Sequence, residues 1–521
     1  MLDKRYVDLM IDVIVDNRLR LDYKLLPKEV YKELKESLTY KNPNYYKARG
    51  MGYGTKGISQ FITSYKIENK NEISITRGAS YKLKEIARNN DIKLNFIDKR
   101  LEVPIKFSTD IILRDYQIKP FMQLKHFENA LIQGVCGCGK TIILLKAIEE
   151  IGQKTLIIVH ETKLQKQWVD HIKDFFKFSD DEIGLIGGIS KGKNKVGKIT
   201  VAMQQSLLKT AENYKDEFGC IVCDEVHRFA ASTFQTTIDQ FPARYRIGAT
   251  ATPKRKDGKQ FLVFDQFGKI VHKITDDDLL ELDMIHEVKM VVVPTEFKYD
   301  GKMDVSFKKV ATGLDENGSP VYETERIERI NHNDLLQKLI MDPERNRLIY
   351  EFIKAEVENN NYCILLSDRR RFCHNWQRWL EQKGIESKLL VGGTEHKLEG
   401  EEAIERIKEE TLQVVIGTTV ADEALDIPRL NRGFSATPTA TNERRIVQQA
   451  GRIKRKCEGK DSSVWYYFCD VNVEGHLNHI KLLKKYFRNI EVLENKQEVE
   501  EYLYYLKGSN VSNLINHTKI L

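Results

Sequence analysis

Long apolar runs are missing from this 521-residue chain, and none approaches the roughly 20 residues that a membrane-crossing helix needs. No span is expected. The opening "MLDKRYVDLMIDVIVDN" carries acids throughout and has neither a clean apolar core nor a cleavage site, so it does not read as a secretory signal. A cytoplasmic protein is the expectation. Cysteine is sparse: eight in so long a chain do not make a disulfide framework. Cys220 and Cys223 form a CxxC inside the apolar run "FGCIVCDE", where alternation would point them to opposite faces. With no second CxxC for zinc, they read as buried and inert. His171, His272, His286 and His396 show no ligand spacing. There is no repeat, low-complexity tract or Pro-rich linker. One further absence is local: from Ser37 to Ile67 there is no Asp or Glu.

What is present describes a folded chain, 41% apolar and 31% charged, and too long for one core. The formal charge is +7, yet residues 1–100 hold 21 Lys and Arg against 13 Asp and Glu, a difference of +8. The rest is near neutral, so a polyanion contact is expected at the N-terminal end. Within the acid-free stretch, Lys41, Lys47, Arg49, Lys56 and Lys66 interleave with Tyr40, Tyr45, Tyr46, Tyr53, Phe61 and Tyr65. Basic groups neutralise phosphates and aromatics stack on bases. Lys47, Arg49, Tyr45 and Tyr46 are the candidates for nucleic-acid contact.

After about residue 108 the pattern changes. Short β-rich runs ("KTLIIVH", "KITVAM", "GCIVCDE", "YRIGAT") recur between helical stretches, and a second series follows from about residue 285 ("YCILLSD", "SKLLVGG", "LQVVIGT", "RGFSAT", "SVWYYFCD"). That rhythm predicts α/β architecture, parallel sheets covered by helices on both faces. The domains expected are a small α+β module over 1–108, a first lobe over 109–284, a second over 285–475 and a helical tail over 476–521. The polar run from about 297 to 333 reads as a hairpin or a mobile excursion.

"GVCGCGKT", Gly134 to Thr141, lies between a strand and a helix. Gly137 and Gly139 let backbone N–H groups close around phosphate, Lys140 reaches the terminal phosphates, and the Thr141 hydroxyl suits Mg²⁺. Cys136 and Cys138 sit in that cradle near a helix N-terminus, which predicts reactive thiols that bound nucleotide would protect. Some 85 residues on, "CIVCDEVH" ends an apolar strand in two carboxylates. Asp224 can hold the Mg²⁺ shell and Glu225 can orient or deprotonate a water. A small-molecule kinase is better without such a glutamate, so the pair points to a hydrolase.

"GVCGCGKT", "DEVH", "GATATPKRKDG" and "QQAGRIKR", in that order and spacing, resemble the DExH branch of superfamily 2 helicases and translocases over about residues 110–475. The resemblance implies two tandem RecA-like lobes, ATP and Mg²⁺ as cofactors, and nucleic acid as partner. It assigns adenine reading to Gln117, helped by Arg114, and backbone contacts to Thr162 in "LIIVHETKLQKQW" and Gln205 in "TVAMQQSL". Thr250 and Thr252, facing His227, would couple hydrolysis to lobe movement. Thr418 and Asp426 would touch strand and nucleotide, in a segment where Ala424 stands at a position usually glycine. Gln448, Arg452 and Arg455 would face the γ-phosphate, the last two as arginine fingers delivered from the second lobe. Hydrolysis would then require lobe closure, and each cycle would be a mechanical stroke.

The basic "SDRRRF" at 367–372 matches another second-lobe motif, whereas "KGKNK" at 191–195 reads as a solvated turn. A basic module ahead of two motor lobes is similar to UvsW-type phage branch-migration helicases. It implies a DNA helicase or translocase acting on forked, branched or duplex DNA in replication, recombination or repair. Three alternatives share parts of this layout: a restriction-system motor subunit, an RNA or transcript-release helicase, and a binding module on a decayed motor. The intact Lys140, Asp224, Glu225, Arg452 and Arg455 argue against the last.

Overall fold

The computed structural model describes residues 10–50, 54–135, 137–229, 231–251, 257–314, 320–391, 397–418, 427–437, 443–473 and 475–508. The chain divides into two compact units, Met1–Asp278 and Leu279–Leu521. Each is built on a seven-stranded parallel sheet.

In the first unit the spatial order of strands is Ile183–Ile186, Ile199–Met203, Thr155–Val159, Cys220–Cys223, Tyr245–Thr250, Asn129–Gly134 and Ile270–Ile274. In the second it is Ser387–Leu390, Val414–Gly417, Cys363–Leu366, Arg432–Ser435, Ser463–Asp470, Val288–Thr295 and Ile490–Val492. Numbered along the chain within each set, both sheets read 3-4-2-5-6-1-7. One topology is used twice, as two tandem RecA-like lobes. Every residue of the central strands "TLIIV", "CIVC", "CILL" and "VVIG" is buried, as a sheet covered on both faces requires. The covering helices bury one stripe each: Thr162–Phe176 turns Gln165, Trp168, Ile172 and Phe176 inward.

Two expectations about the second lobe are refined. The polar run after its first strand is an antiparallel hairpin, Met303–Leu314 paired with Pro320–Ile330. The segment read as a helical tail has helices Leu477–Tyr486 and Lys496–Gly508, but between them Ile490–Val492 pairs in parallel with Met290–Val292. Leu493, Val499 and Leu506 lie in the core of the lobe. The tail therefore completes the sheet.

The N-terminal module is a five-stranded mixed sheet, in the order Tyr65–Ile67, Glu72–Ile75, Leu19–Asp22, Met10–Val15 and Lys93–Asp98. Helices Lys28–Ser37 and Ser80–Asn89 supply Val30, Leu34, Leu83 and Ile86 to its core. It is joined to the first lobe by buried polar groups. Arg18 pairs with Asp239, and Arg77 donates to the carbonyls of Ala243 and Arg244 and to Asn129 Oδ1. In return Arg246, fully buried, donates 2.8 Å to the Asn17 carbonyl. Asp265 accepts from Tyr40 (2.6 Å) and Ser64 (2.5 Å) and lies 3.5 Å from the Lys82 ammonium. Gly78 makes the closest approach: a Cβ there would come within 2.4 Å of the Phe264 carbonyl oxygen. Among the described residues no helix is long and apolar enough to cross a membrane.

Candidate active site

The strand Asn129–Gly134 runs into a tight loop and then the helix Lys140–Ile151. The loop turns at Gly137 and Gly139, whose φ values of +86° and +77° belong to the left-handed region that glycine enters at little cost. A Cβ on Gly139 would also meet Gln117 Nε2 at 2.3 Å, so the cradle is closed from below by that side chain. Gln117 is buried, accepts from the Arg114 amide (3.0 Å) and donates to the Cys138 carbonyl (3.2 Å). A primary amide has two N–H groups and two lone-pair sites, so these bonds use one of each. Arg114 is exposed at the head of the helix Asp115–His126. Thr141 is half-buried in the first turn of its helix.

The strand Cys220–Cys223 delivers the two carboxylates. Asp224 is 6% exposed and accepts from the Glu225 amide at 2.9 Å and from Trp168, a partner that the sequence did not signal. Burial, and then the Glu225 charge, push the Asp224 carboxyl up. Glu225 itself sits at φ +50°, ψ +49°, a conformation that costs a non-glycine residue about 1–2 kcal/mol and clusters at functional sites. The turn aims its carboxylate at three partners: Lys140 Nζ at 3.6 Å, His227 Nδ1 at 3.3 Å and the Ala251 amide at 3.2 Å. Burial alone would raise its pKa, but Lys140 and the hydrogen bond with His227 hold it below the ordinary range. His227 Nδ1 also lies 2.8 Å from Thr250 Oγ1, at the end of the neighbouring strand. Lys140, Glu225, His227 and Thr250 thus form one continuous cluster.

Other candidates fall elsewhere. Thr162 and Gln205 are exposed in the first turns of helices Thr162–Phe176 and Gln204–Thr210. In the second unit Thr418 is buried just past the strand Val414–Gly417, and Arg452 and Arg455 are half-buried on and just after the short 3-10 turn Gly451–Ile453. Arg369, Arg370 and Arg371 are exposed where the helix Arg370–Gln382 begins. Thr252, Asp426, Cys136 and His396 lie outside the described residues, as does the side chain of Gln448.

Lys47 and Arg49 are exposed on the helix Pro43–Gly50, which buries no side chain. Tyr45 and Tyr46, half-exposed beside them, meet edge to face at 5.4 Å. Tyr40 does not join this set, because its ring stacks on Phe261 at 3.9 Å.

The expectation of reactive cradle thiols fails at Cys138, which is wholly buried, too packed for an alkylating reagent to reach. Cys220 and Cys223 are buried as the strand pattern implied, and burial pushes the Cys220 thiol up to about 12. Among the described residues no group of His, Cys, Asp and Glu is arranged to hold a metal on its own. The oxygen donors at Thr141 and Asp224 suit a hard cation such as Mg²⁺, which is ordinarily shared with substrate phosphates.

Comparison with known proteins agrees with this architecture. The family described as the type III restriction enzyme res subunit matches residues 110–255, and the helicase conserved C-terminal domain matches 344–457. Probable helicase D10 of Escherichia phage T5 is 29% identical over 377 residues, 71% of this chain and 74% of that protein. DNA 3'-5' translocase XPB2 of Sulfurisphaera tokodaii is 25% identical over 392 residues, 70% of this chain and 86% of that protein. The crystal structure of T4 UvsW aligns with 93% of this chain and 99% of its own at 14% identity and a TM-score of 0.42. With its res-subunit and helicase C-terminal matches, its DExH strand end and its repeated parallel sheet, the chain belongs to superfamily 2 of the helicases, enzymes that couple ATP to work on nucleic acid.

Proposed function

We propose that the chain is an ATP-dependent DNA helicase or translocase that remodels forked and branched DNA. The observation that carries the choice of substrate is the helix Pro43–Gly50. It presents Lys47 and Arg49 to solvent beside Tyr45 and Tyr46, in a module with a basic excess docked onto the ATP-binding lobe. Its first residue, Pro43, lies against Gly258 of the first lobe. The translocase relative, named for DNA, supports the same choice.

In this reading Gln117, with Arg114, recognises the base, while the loop at Gly137 and Gly139 and the Lys140 ammonium hold the phosphates. Thr141 and Asp224 would hold Mg²⁺, which supplies charge neutralisation at the phosphates. Glu225 takes a proton from the attacking water, and His227 with Thr250 fixes that carboxylate and passes its state to the following strand end, together with Thr252. Gln448, Arg452 and Arg455 stabilise charge on the γ-phosphate, and Asp426 contacts nucleotide. Thr162, Gln205 and Thr418 track the nucleic-acid backbone. The domain limits near residues 108 and 284 belong to the same proposal.

The test is ATP hydrolysis measured with single-stranded, duplex, forked and four-way DNA and with RNA as separate activators. Forked or four-way DNA should stimulate most. Strongest stimulation by RNA would replace the DNA assignment with an RNA helicase, and stimulation by plain duplex alone would favour a restriction-type motor.

A further inference from the structure

Lys460 belongs to none of the helicase motifs, and among the described residues it is unusually buried for a lysine. It is 5% exposed, and its ammonium lies 2.7 Å from the carbonyl oxygens of Leu430, Ile453 and Arg455 and 3.0 Å from that of Pro428. An ammonium has three N–H groups, so four carbonyls occupy all of them, one bond being shared. The charged groups that bear on it most strongly besides Cys457 are Arg429, Arg432 and Arg455, all cations. Arg432 is engaged by Glu356 (2.8 Å) and Arg429 by Glu410 (2.7 Å). A buried cation among cations, compensated by backbone dipoles, is costly unless its hydrogen bonds matter.

The four carbonyls belong to two segments. Pro428 and Leu430 leave the segment that carries Thr418 and Asp426. Ile453 and Arg455 end the helical run Glu443–Ala450 and Gly451–Ile453, where carbonyls lack intrahelical partners. Further bonds hold the second segment: Ser463 Oγ donates to the Ile453 carbonyl, the His286 amide donates 2.7 Å to the Lys454 carbonyl, and His286 Nε2 lies 2.9 Å from the Lys460 carbonyl oxygen.

Resting on the motor reading above, we propose that Lys460 is a positioning residue for the arginine fingers. Its ammonium caps the carbonyls of Ile453 and Arg455 and ties them to those of Pro428 and Leu430, so that these two stretches of chain are held together beneath Arg452 and Arg455. The charged form is required, because a neutral amine would turn a lone pair toward a carbonyl oxygen. Burial, with the three guanidinium groups, brings its pKa to about 7, which makes the capping state sensitive to alkaline pH.

The test is a double-mutant cycle on the full chain with its best nucleic-acid activator, using Lys460→Met, Arg455→Ala and the pair, with melting temperatures alongside. Lys460→Met should lower kcat on the order of 10²-fold, the cost of misplacing a catalytic group by about 1 Å, with KM for ATP little changed. The double variant should be no slower than Arg455→Ala alone, since Lys460 acts through the finger. Wild-type kcat in Lys460→Met, or losses that multiply in the pair, would overturn the proposal in favour of a merely structural lysine. Should Lys460→Met fail to fold, the wild-type pH profile decides: kcat should fall about tenfold or more from pH 7 to 9 with KM for ATP steady, and a flat profile overturns it. A wild-type chain without nucleic-acid-stimulated hydrolysis would instead sink the motor reading itself, and this proposal with it.

Discussion

At the scale of the residue, Lys140 and Glu225 touch each other yet have separable jobs. If Lys140 holds the terminal phosphates as proposed, Lys140→Ala should weaken ATP binding and abolish hydrolysis. Glu225→Gln keeps the shape of the side chain but removes the proposed base. Bound ATP should therefore persist while turnover stops, which equilibrium nucleotide binding beside a steady-state assay would show. Substantial turnover in Glu225→Gln would remove that residue from water activation. In the proposed mechanism Arg455 meets charge that develops in the transition state, so Arg455→Ala should act on kcat more than on KM. Arginine fingers in other NTPases are worth roughly 10³–10⁵ in rate, so a defect confined to KM would place Arg455 on ground-state phosphate or on nucleic acid instead.

At the scale of the element, the polar groups that fasten one piece to another set the expected stabilities. Asp265, 1% exposed, accepts from Tyr40 and Ser64 and pairs with Lys82, residues from three separate places in the N-terminal module. Asp265→Ala leaves those donors buried without it and should cost about 3–5 kcal/mol in urea denaturation, the range for breaking a buried charged pair from one side. A change under about 1 kcal/mol would mean that the junction is hydrated and weak. On the helix Leu477–Tyr486, His479 is held neutral: burial first, then His476, lowers its pKa to about 4. The unfolded chain, titrating near 6.5, binds that proton first as pH falls. Stability is therefore complete above about pH 6.5 and drops between about 6.5 and 4, by up to about 3 kcal/mol. His479→Gln should lose less between pH 7.5 and 5 than wild type does, and equal losses would assign the acid sensitivity elsewhere.

At the scale of the whole molecule, the basic module and the first lobe form one compact unit, which changes how the proposed DNA contact should be tested. Deleting residues 1 to about 105 would strip Asp239, Asp265 and Arg246 of partners inside the first unit, so the truncated chain should lose stability along with DNA binding. Surface substitutions separate the two effects. Lys47→Ala with Arg49→Ala should leave melting unchanged and reduce the slope of log binding constant against log salt by about 1.8 for duplex, at about 0.9 per phosphate contact. Tyr45→Ala and Tyr46→Ala should weaken binding by about 1–3 kcal/mol per stacked base while leaving that slope nearly intact. An unchanged affinity and slope on forks and four-way junctions would mean that the helix Pro43–Gly50 does not read DNA.

The sequence by itself determined the parts whose chemistry is local. A phosphate loop needs glycines, a lysine and a helix start within eight residues, and a strand that ends in Asp224 and Glu225 advertises itself by its apolar run. Both lobes were legible in the recurrence of such strands, because a strand buried on both faces must be apolar throughout. Tertiary structure alone decided what depends on partners distant in the chain. Tyr40 and Tyr45 read alike, yet one stacks on Phe261 and the other stands half-exposed. Cys138 looked reactive and is sealed by packing; Ile490–Val492 looked like part of a tail and pairs with a strand 200 residues earlier. Lys460 gave no signal in "CEGKDSS", because what makes it unusual is four backbone carbonyls, and the carbonyl is the one group that every residue shares.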